Sequence, residues 1–207
     1  MADTLGAYDT RTTAILDAVK KAFAEKGFDG ASMQDLARAA GMSAGNFYRY
    51  FPSKNAIIEA MIARDLEEVK EAFGEVMAST DPATALLAAF EQKLDTLDCD
   101  DGPLWAEIDA AARRRPEIAQ VAGTMETEIC GFLLAVFSRI VGCSREEARQ
   151  RYIGQAWFVM LLFKAIAQRL HGQACNMPPN AQDPVRRLFK TSIEQTIAAV
   201  AADGRRN

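Results

Sequence analysis

From Ser43 to Tyr50 the chain reads SAGNFYRY, in which hydrogen-bonding side chains alternate with apolar ones. Asn46 can both donate to and accept from a base edge. Arg49 can pair with guanine or with a phosphate, and Tyr48 offers a ring for a thymine methyl and a hydroxyl for a phosphate. Gly45 lets a backbone come close. Taken at 100° per residue, Ala44, Phe47 and Phe51 fall on one side of a short helix, while Gly45, Asn46, Tyr48 and Arg49 fall on the other. The first set predicts a buried face, the second a face free to read DNA. Lys54 follows the Phe51-Pro52-Ser53 corner in the first turn of the next helix, where its ammonium and the backbone amides can hold a phosphate. Tyr50 flanks this surface. Either tyrosine alone would be an ordinary surface residue, so the combination carries the reading.

Such a face needs neighbours to hold it. Ser32 with Asp35 three residues on fits a capping box, in which hydroxyl and carboxylate satisfy free backbone donors at a helix start. Met33, Leu36, Ala37 and Ala40 give that helix its apolar stripe, and Ser32 stands at the edge of the candidate DNA face. Gly41 breaks the helix and Ser43 can cap the next one. The turn of about three residues between them is the length that a helix-turn-helix uses. Upstream, a helix from about Thr10 to Lys26 with Ile15, Val19, Ala22 and Phe23 on one face stops at Gly27, the usual terminal residue.

The whole chain of 207 residues is 49% hydrophobic and 25% charged, enough to bury a full core. Its net charge of −4 is unlike that of a nucleic-acid binder. The distribution resolves the difficulty. Residues 1–54 hold seven basic side chains (Arg11, Lys20, Lys21, Lys26, Arg38, Arg49, Lys54) and six acidic ones (Asp3, Asp9, Asp17, Glu25, Asp29, Asp35), a balance of +1 that leaves −5 for the remainder. Phosphate attraction acts over roughly 8–10 Å, so an acidic body can coexist with a DNA-facing module. Apolar runs of about nine residues fall short of the roughly 20 that a membrane span needs, which predicts no transmembrane helix. Met1 to Thr10 lacks the basic patch and apolar core of a secretory leader, so a cytoplasmic location is expected. Cys99, Cys130, Cys143 and Cys175 form no CxxC pair, and reduced thiols without metal or cofactor are expected.

Apolar residues recur at three- and four-residue spacing almost throughout, with no sustained alternation, so the fold class is all-α. The stretch from Ser32 to Met61, SMQDLARAAGMSAGNFYRYFPSKNAIIEAM, resembles the DNA-binding signature of the TetR family: a small residue, GxS, G, an aromatic Y, F and S-K in this order. Ala44 departs from it, with no polar side chain where many relatives contact DNA. The resemblance implies an N-terminal three-helix helix-turn-helix domain (residues 1–52) and a larger C-terminal helical bundle for sensing and dimerisation (53–207). A helix over 53–77 would join the two. It further implies a homodimeric transcriptional regulator, usually a repressor, that leaves a double-stranded, pseudo-palindromic operator when a small-molecule effector binds. The segment Leu104 to Ile118, LWAEIDAAARRRPEI, is similar to the sensor domain of the betaine-response branch of the family. The domain type carries over from that likeness, not the ligand.

Beyond the connecting helix, Ser79-Thr80-Asp81-Pro82 starts a helix to about Leu97, and Asp98 to Gly102 punctuates again. A helix from Pro116 to about Val141, one from Ser144 to Leu170, a loop from Gly172 to Asp183 and a last helix from Pro184 to about Ala202 follow. Phe73, Phe90, Trp105, Met125, Ile129, Phe132, Trp157, Met160 and Leu161 are candidates to line an effector pocket, although such residues at helical spacing are more often core. Phe163, Ile166, Val185, Leu188, Phe189, Ser192, Ile193 and Thr196 on the last two helices are candidates for a dimer interface. Arg113, Arg114 and Arg115 before Pro116 could bind an anionic ligand, yet such a run is more often a solvated helix end. Two other classes compete. A helical-bundle enzyme is disfavoured because the one histidine, His171, has Gln168 rather than glutamate three residues before it, and no nucleophile sits in a local motif. A helical interaction protein without DNA affinity is the other alternative.

Overall fold

The computed structural model describes residues 10–96, 101–169 and 178–204, and every regular element among them is a helix. These are α1 (Thr10–Gly30), α2 (Met33–Ala39), α3 (Ala44–Tyr50), α4 (Lys54–Ala78), α5 (Pro82–Thr96), α6 (Asp101–Ala112), α7 (Pro116–Val141), α8 (Arg145–Arg169) and α9 (Pro179–Gly204). The all-α expectation holds. The first nine residues, Cys99, His171 and Cys175 lie outside the described residues, as do the readings made on them.

The chain forms two compact units: Met1–Asp65 with Pro103–Gly123, and Leu66–Gly102 with Thr124–Asn207. The sequence division at 52/53 differs from this one, which runs through α4 and gives most of α6 and the start of α7 to the first unit.

In the first unit α1 packs on α2 and α2 on α3. Ile15, Leu16, Val19 and Phe23 of α1, Leu36 of α2, Phe47 of α3 and Ile57, Ile58 and Met61 of α4 are all buried. The helical run of α1 kinks at Gly27, whose φ of 71° and ψ of 164° suit only glycine; a Cβ there would stand 3.0 Å from Glu107 Oε2. The kink turns Phe28 inward, where its ring stacks on Phe23 with centroids 5.7 Å apart.

The second unit is built around Leu86, Leu133, Phe137, Tyr152, Ala156, Val159, Ile166, Ile193 and Ile197, with α9 packed on both α8 and α5. By length and composition α7 is apolar enough to cross a membrane, which the short uninterrupted runs had not predicted. Its apolarity serves a core: Leu133 to Phe137 are buried without a break.

Helix ends follow local chemistry. Asp81 accepts from Thr84 N at 3.2 Å and from Thr84 Oγ1 at 2.7 Å, which fixes the start of α5. Asp101 and Gly102, read as punctuation, are helical and open α6, whereas α9 starts at Pro179, inside the stretch read as a loop. Proline is favoured in a first helical turn, where no intrahelical partner is lost. Pro184, taken from the sequence as the first residue, instead lies within the helix.

Candidate nucleic-acid interface

The interface is assembled from two short helices whose ends are fixed by side chains. At the start of α2, Ser32 Oγ accepts from Asp35 N at 3.1 Å, and Asp35 Oδ2 accepts from Ser32 N at 3.0 Å, so the predicted capping box is complete. Ser32 Oγ also donates to Asp35 Oδ2 at 2.6 Å. At the other end Gly41, with φ +65°, lets the chain reverse. Gly41 N then donates to Arg38 O at 3.0 Å and Met42 N to Ala37 O at 2.9 Å, the paired bonds of a Schellman closure. Ser43 caps α3, its Oγ accepting from Asn46 N at 3.4 Å.

This framing orients α3. Phe47 is fully buried and Phe51 nearly so, with their rings 5.8 Å apart, and Ala44 is half-buried beside them. On the opposite side Gly45 and Arg49 are exposed, Asn46 is half-exposed, and Tyr48 keeps 48% of its surface open. Tyr50 is 36% exposed, and its ring lies against Phe51. Arg49, Asn46 and Tyr50 line one open depression together with Arg11 from the first turn of α1. Arg11 is a residue that sequence reasoning missed. Its only signal was a lone charge at a helix start.

Lys54 departs from expectation. Its ammonium donates to Phe28 O at 2.7 Å and Asp29 O at 3.3 Å and lies 4.9 Å from the centre of the Phe28 ring. It is therefore first a brace between α4 and the α1–α2 corner, with part of its donor capacity spent there. The three-arginine run is also more than a solvated end. Arg114 and Arg115 each reach a different oxygen of Asp29 at 2.9 Å, and the Arg115 guanidinium lies over the Phe28 ring, 5.1 Å from its centroid. Glu107 Oε2 accepts from Phe28 N at 2.9 Å.

These pairs settle the local electrostatics. Lys26 at 2.8 Å, then the hydroxyl and amide of Ser32, hold the Asp35 carboxyl well below the usual carboxylate range. Arg115, then Arg114, lower that of Asp29. Both acids stay ionised and are neutralised within the unit, so the α3 face meets little uncompensated negative charge.

The remaining candidates are spread through the fold. Trp105 belongs to the first unit, the other pocket candidates to the second. There the Phe73 ring lies tilted against that of Phe132 with centroids 5.5 Å apart, and Met125 and Met160 are buried. Phe90, Ile129 and Trp157 pack against the core as half-buried neighbours. Leu161 is 53% exposed and lines no interior, which corrects that assignment.

The dimer-interface candidates divide. Ile166 and Ile193 are buried in the core of their own unit, and Phe163 and Phe189 pack against it, Phe163 with its ring 5.5 Å from that of Phe90. Ser192 and Thr196 return their hydroxyls to the helix carbonyls of Leu188 and Ser192, and Val185 is half-buried. Of that set Leu188 on α9 alone is a large apolar residue left open, at 68%, and on α8 the large open apolar side chains among the described residues are Ile153, Phe158 and Leu161. Within that set Ile166 and Ile193 face the core of their own unit, whereas Leu188 faces away from it.

A short capped helix presenting Asn46, Tyr48 and Arg49 outward from its packing on α2, which in turn packs on α1, defines a helix-turn-helix DNA-binding protein. Residues 15–61 match the family model described as bacterial regulatory proteins, tetR family. The chain is 27% identical over 202 residues to the HTH-type transcriptional regulator BetI of Cronobacter sakazakii, covering 95% of this chain and 96% of that one. It is 41% identical over 69 residues to the HTH-type transcriptional regulator UidR of Escherichia coli, where the match spans 33% of this chain and 35% of the relative. Among solved structures, Salmonella enterica GusR superposes with a TM-score of 0.66 at 24% identity, covering 93% of this chain and 95% of that one. The chain thus resembles TetR-family regulators along nearly its whole length, carries that family's DNA-binding region in residues 15–61, and is a DNA-binding transcriptional regulator.

Proposed function

We propose that the protein is a homodimeric, cytoplasmic repressor that holds a pseudo-palindromic operator and releases it when a small molecule binds the C-terminal part of the chain. The observation that carries the DNA half is the outward face of α3, where Asn46, Tyr48 and Arg49 converge without an acidic neighbour on the same helix. In this reading residues 1–52 form the DNA-binding domain and 53–207 the sensing and dimerisation domain. The similarity to BetI along nearly the whole chain supports a sensor of that branch. Half-buried Phe73, Phe90, Phe132 and Trp157 are the side chains best placed to meet an apolar effector. No catalytic role is proposed; the relatives above are regulators.

Dimerisation is assigned to the open apolar side chains Ile153, Phe158, Leu161 and Leu188, which a second copy would cover. With two copies, half-sites are related by the dimer axis. Effector binding would bias α4, which runs in both units and begins at the α3 corner. An effector that prefers one conformation tenfold to a few hundredfold supplies about 1.4–3 kcal/mol, enough to change operator occupancy markedly.

The test begins with duplex fragments that the protein selects from genomic DNA. Asn46→Ala and Tyr48→Ala are expected to weaken the selected site by about tenfold or more each, in line with about 1–3 kcal/mol for a good base contact, with little change in thermal midpoint. Wild-type affinity in both variants would remove α3 as the reading helix. Operator affinity that stayed constant while a tight ligand occupied the C-terminal part would refute the release mechanism.

A further inference from the structure

Arg11 stands where an apolar residue would be expected. It continues the buried stripe of α1 through Ile15, Val19 and Ala22 at spacings of four, four and three, so it shares their face of the helix one turn beyond the core. An arginine at the end of such a stripe extends past the packed interior. Here it shares an open depression with Asn46, Arg49 and Tyr50 from the recognition helix.

The lining has a single chemical character. Two guanidiniums, an amide and a phenol present hydrogen-bond donors, and among the described residues no carboxylate lines the depression. Other cations of the same unit are paired: Lys26 and Arg38 with Asp35, Arg64 with Asp17, and Arg114 and Arg115 with Asp29. Arg11 and Arg49 are exposed and form no ion pair among the described residues. A guanidinium's planar fork matches a phosphate, and two of them flanking one concavity call for an anion of more than one oxygen.

We infer that Arg11 and Arg49 together hold one phosphate of the DNA backbone beside the bases that Asn46 and Tyr48 read, which makes α1 part of the interface. This rests on the DNA reading of α3 and extends it to a second helix. A phosphate contact positions the recognition helix without reading sequence, so its loss weakens every duplex alike.

Binding is measured between 50 and 200 mM salt on two duplexes, one recovered by the wild-type protein from a random-sequence pool and one of scrambled sequence. Arg11→Ala should lower affinity for both by about tenfold and reduce the salt slope by about one, the share of a single phosphate contact. Arg11→Lys should restore most of the slope. Lys21→Ala removes the same charge from an exposed position further along α1 and should change affinity less than about twofold. The assignment falls if Arg11→Ala matches Lys21→Ala, or if Arg11→Ala weakens only the recovered duplex, which would make Arg11 a base reader. A wild-type protein that recovered no duplex from the pool would overturn the α3 reading as well, whereas wild-type binding with an unaltered slope in Arg11→Ala would remove the phosphate seat alone.

Discussion

Lys54 shows how one side chain can serve fold and function together. Its bonds to Phe28 O and Asp29 O tie the first turn of α4 to a corner 25 and 26 residues earlier. Spacing along a sequence reveals a neighbour three or four residues away, not a carbonyl at that distance, so the brace was invisible where the outward face of α3 was legible. Lys54→Ala is therefore expected to lower the stability of the first unit by about 1–2 kcal/mol, seen as a shift in the denaturation midpoint, as well as to weaken DNA binding. Tyr48→Ala should do only the second. A Lys54→Ala protein as stable as wild type would mean that these bonds contribute nothing net. In the second unit, burial first and the Glu126 charge second push the Cys130 thiol up to about 11. Cys130 should then resist alkylation at pH 8 in the native protein and react once unfolded, whereas half-exposed Cys143 should react first. Mass mapping of the labelled peptides decides it.

At the scale of elements, legibility tracked how local the determinants are. The capping box of Ser32 and Asp35, the Gly41 reversal and the Ser43 cap each involve residues within five positions of one another, and all stand as read. The interface candidates on α8 and α9 divide, with Ile166 and Ile193 in the core and Leu188 open, because which side of an apolar helix faces inward is decided by partners distant in sequence. Gly27 is an intermediate case: its role as a terminator was legible, the contact with Glu107 was not. Gly27→Ala should cost at least about 1–2 kcal/mol, since a side chain there meets both a forbidden backbone region and the Glu107 carboxylate. Unchanged thermal stability of this variant would mean that the kink relaxes freely. Acid should act on the same region. Asp29 and Asp35 have folded pKa values below their unfolded ones, so the stability they contribute is present above about pH 4 and is lost as pH falls through the folded values. Asp29→Asn combined with Asp35→Asn should flatten the acid limb of a stability profile. An identical limb in that double variant would place the sensitivity elsewhere.

For the whole molecule, the charge asymmetry anticipated from composition, +1 over residues 1–54 against −5 for the rest, leaves the DNA-facing end as the part compatible with a polyanion. The open apolar residues of α8 and α9 provide the complementary test of assembly. Phe158→Glu with Leu161→Glu should yield a folded monomer by light scattering, with DNA affinity reduced because two half-sites are no longer held by one particle. Ile193→Glu, which places a charge in the core, should instead unfold the second unit. A dimer that persisted in the exposed double variant would move the interface to another face.

The two tryptophans fall one to each compact unit, Trp105 in the first and Trp157 in the second, and both are half-buried. The chain thus carries its own pair of spectroscopic reporters. With Trp105→Phe the indole emission monitors melting of the second unit alone, and with Trp157→Phe that of the first. Coincident curves would mean that both units melt as one cooperative block, and separated curves that each has its own transition.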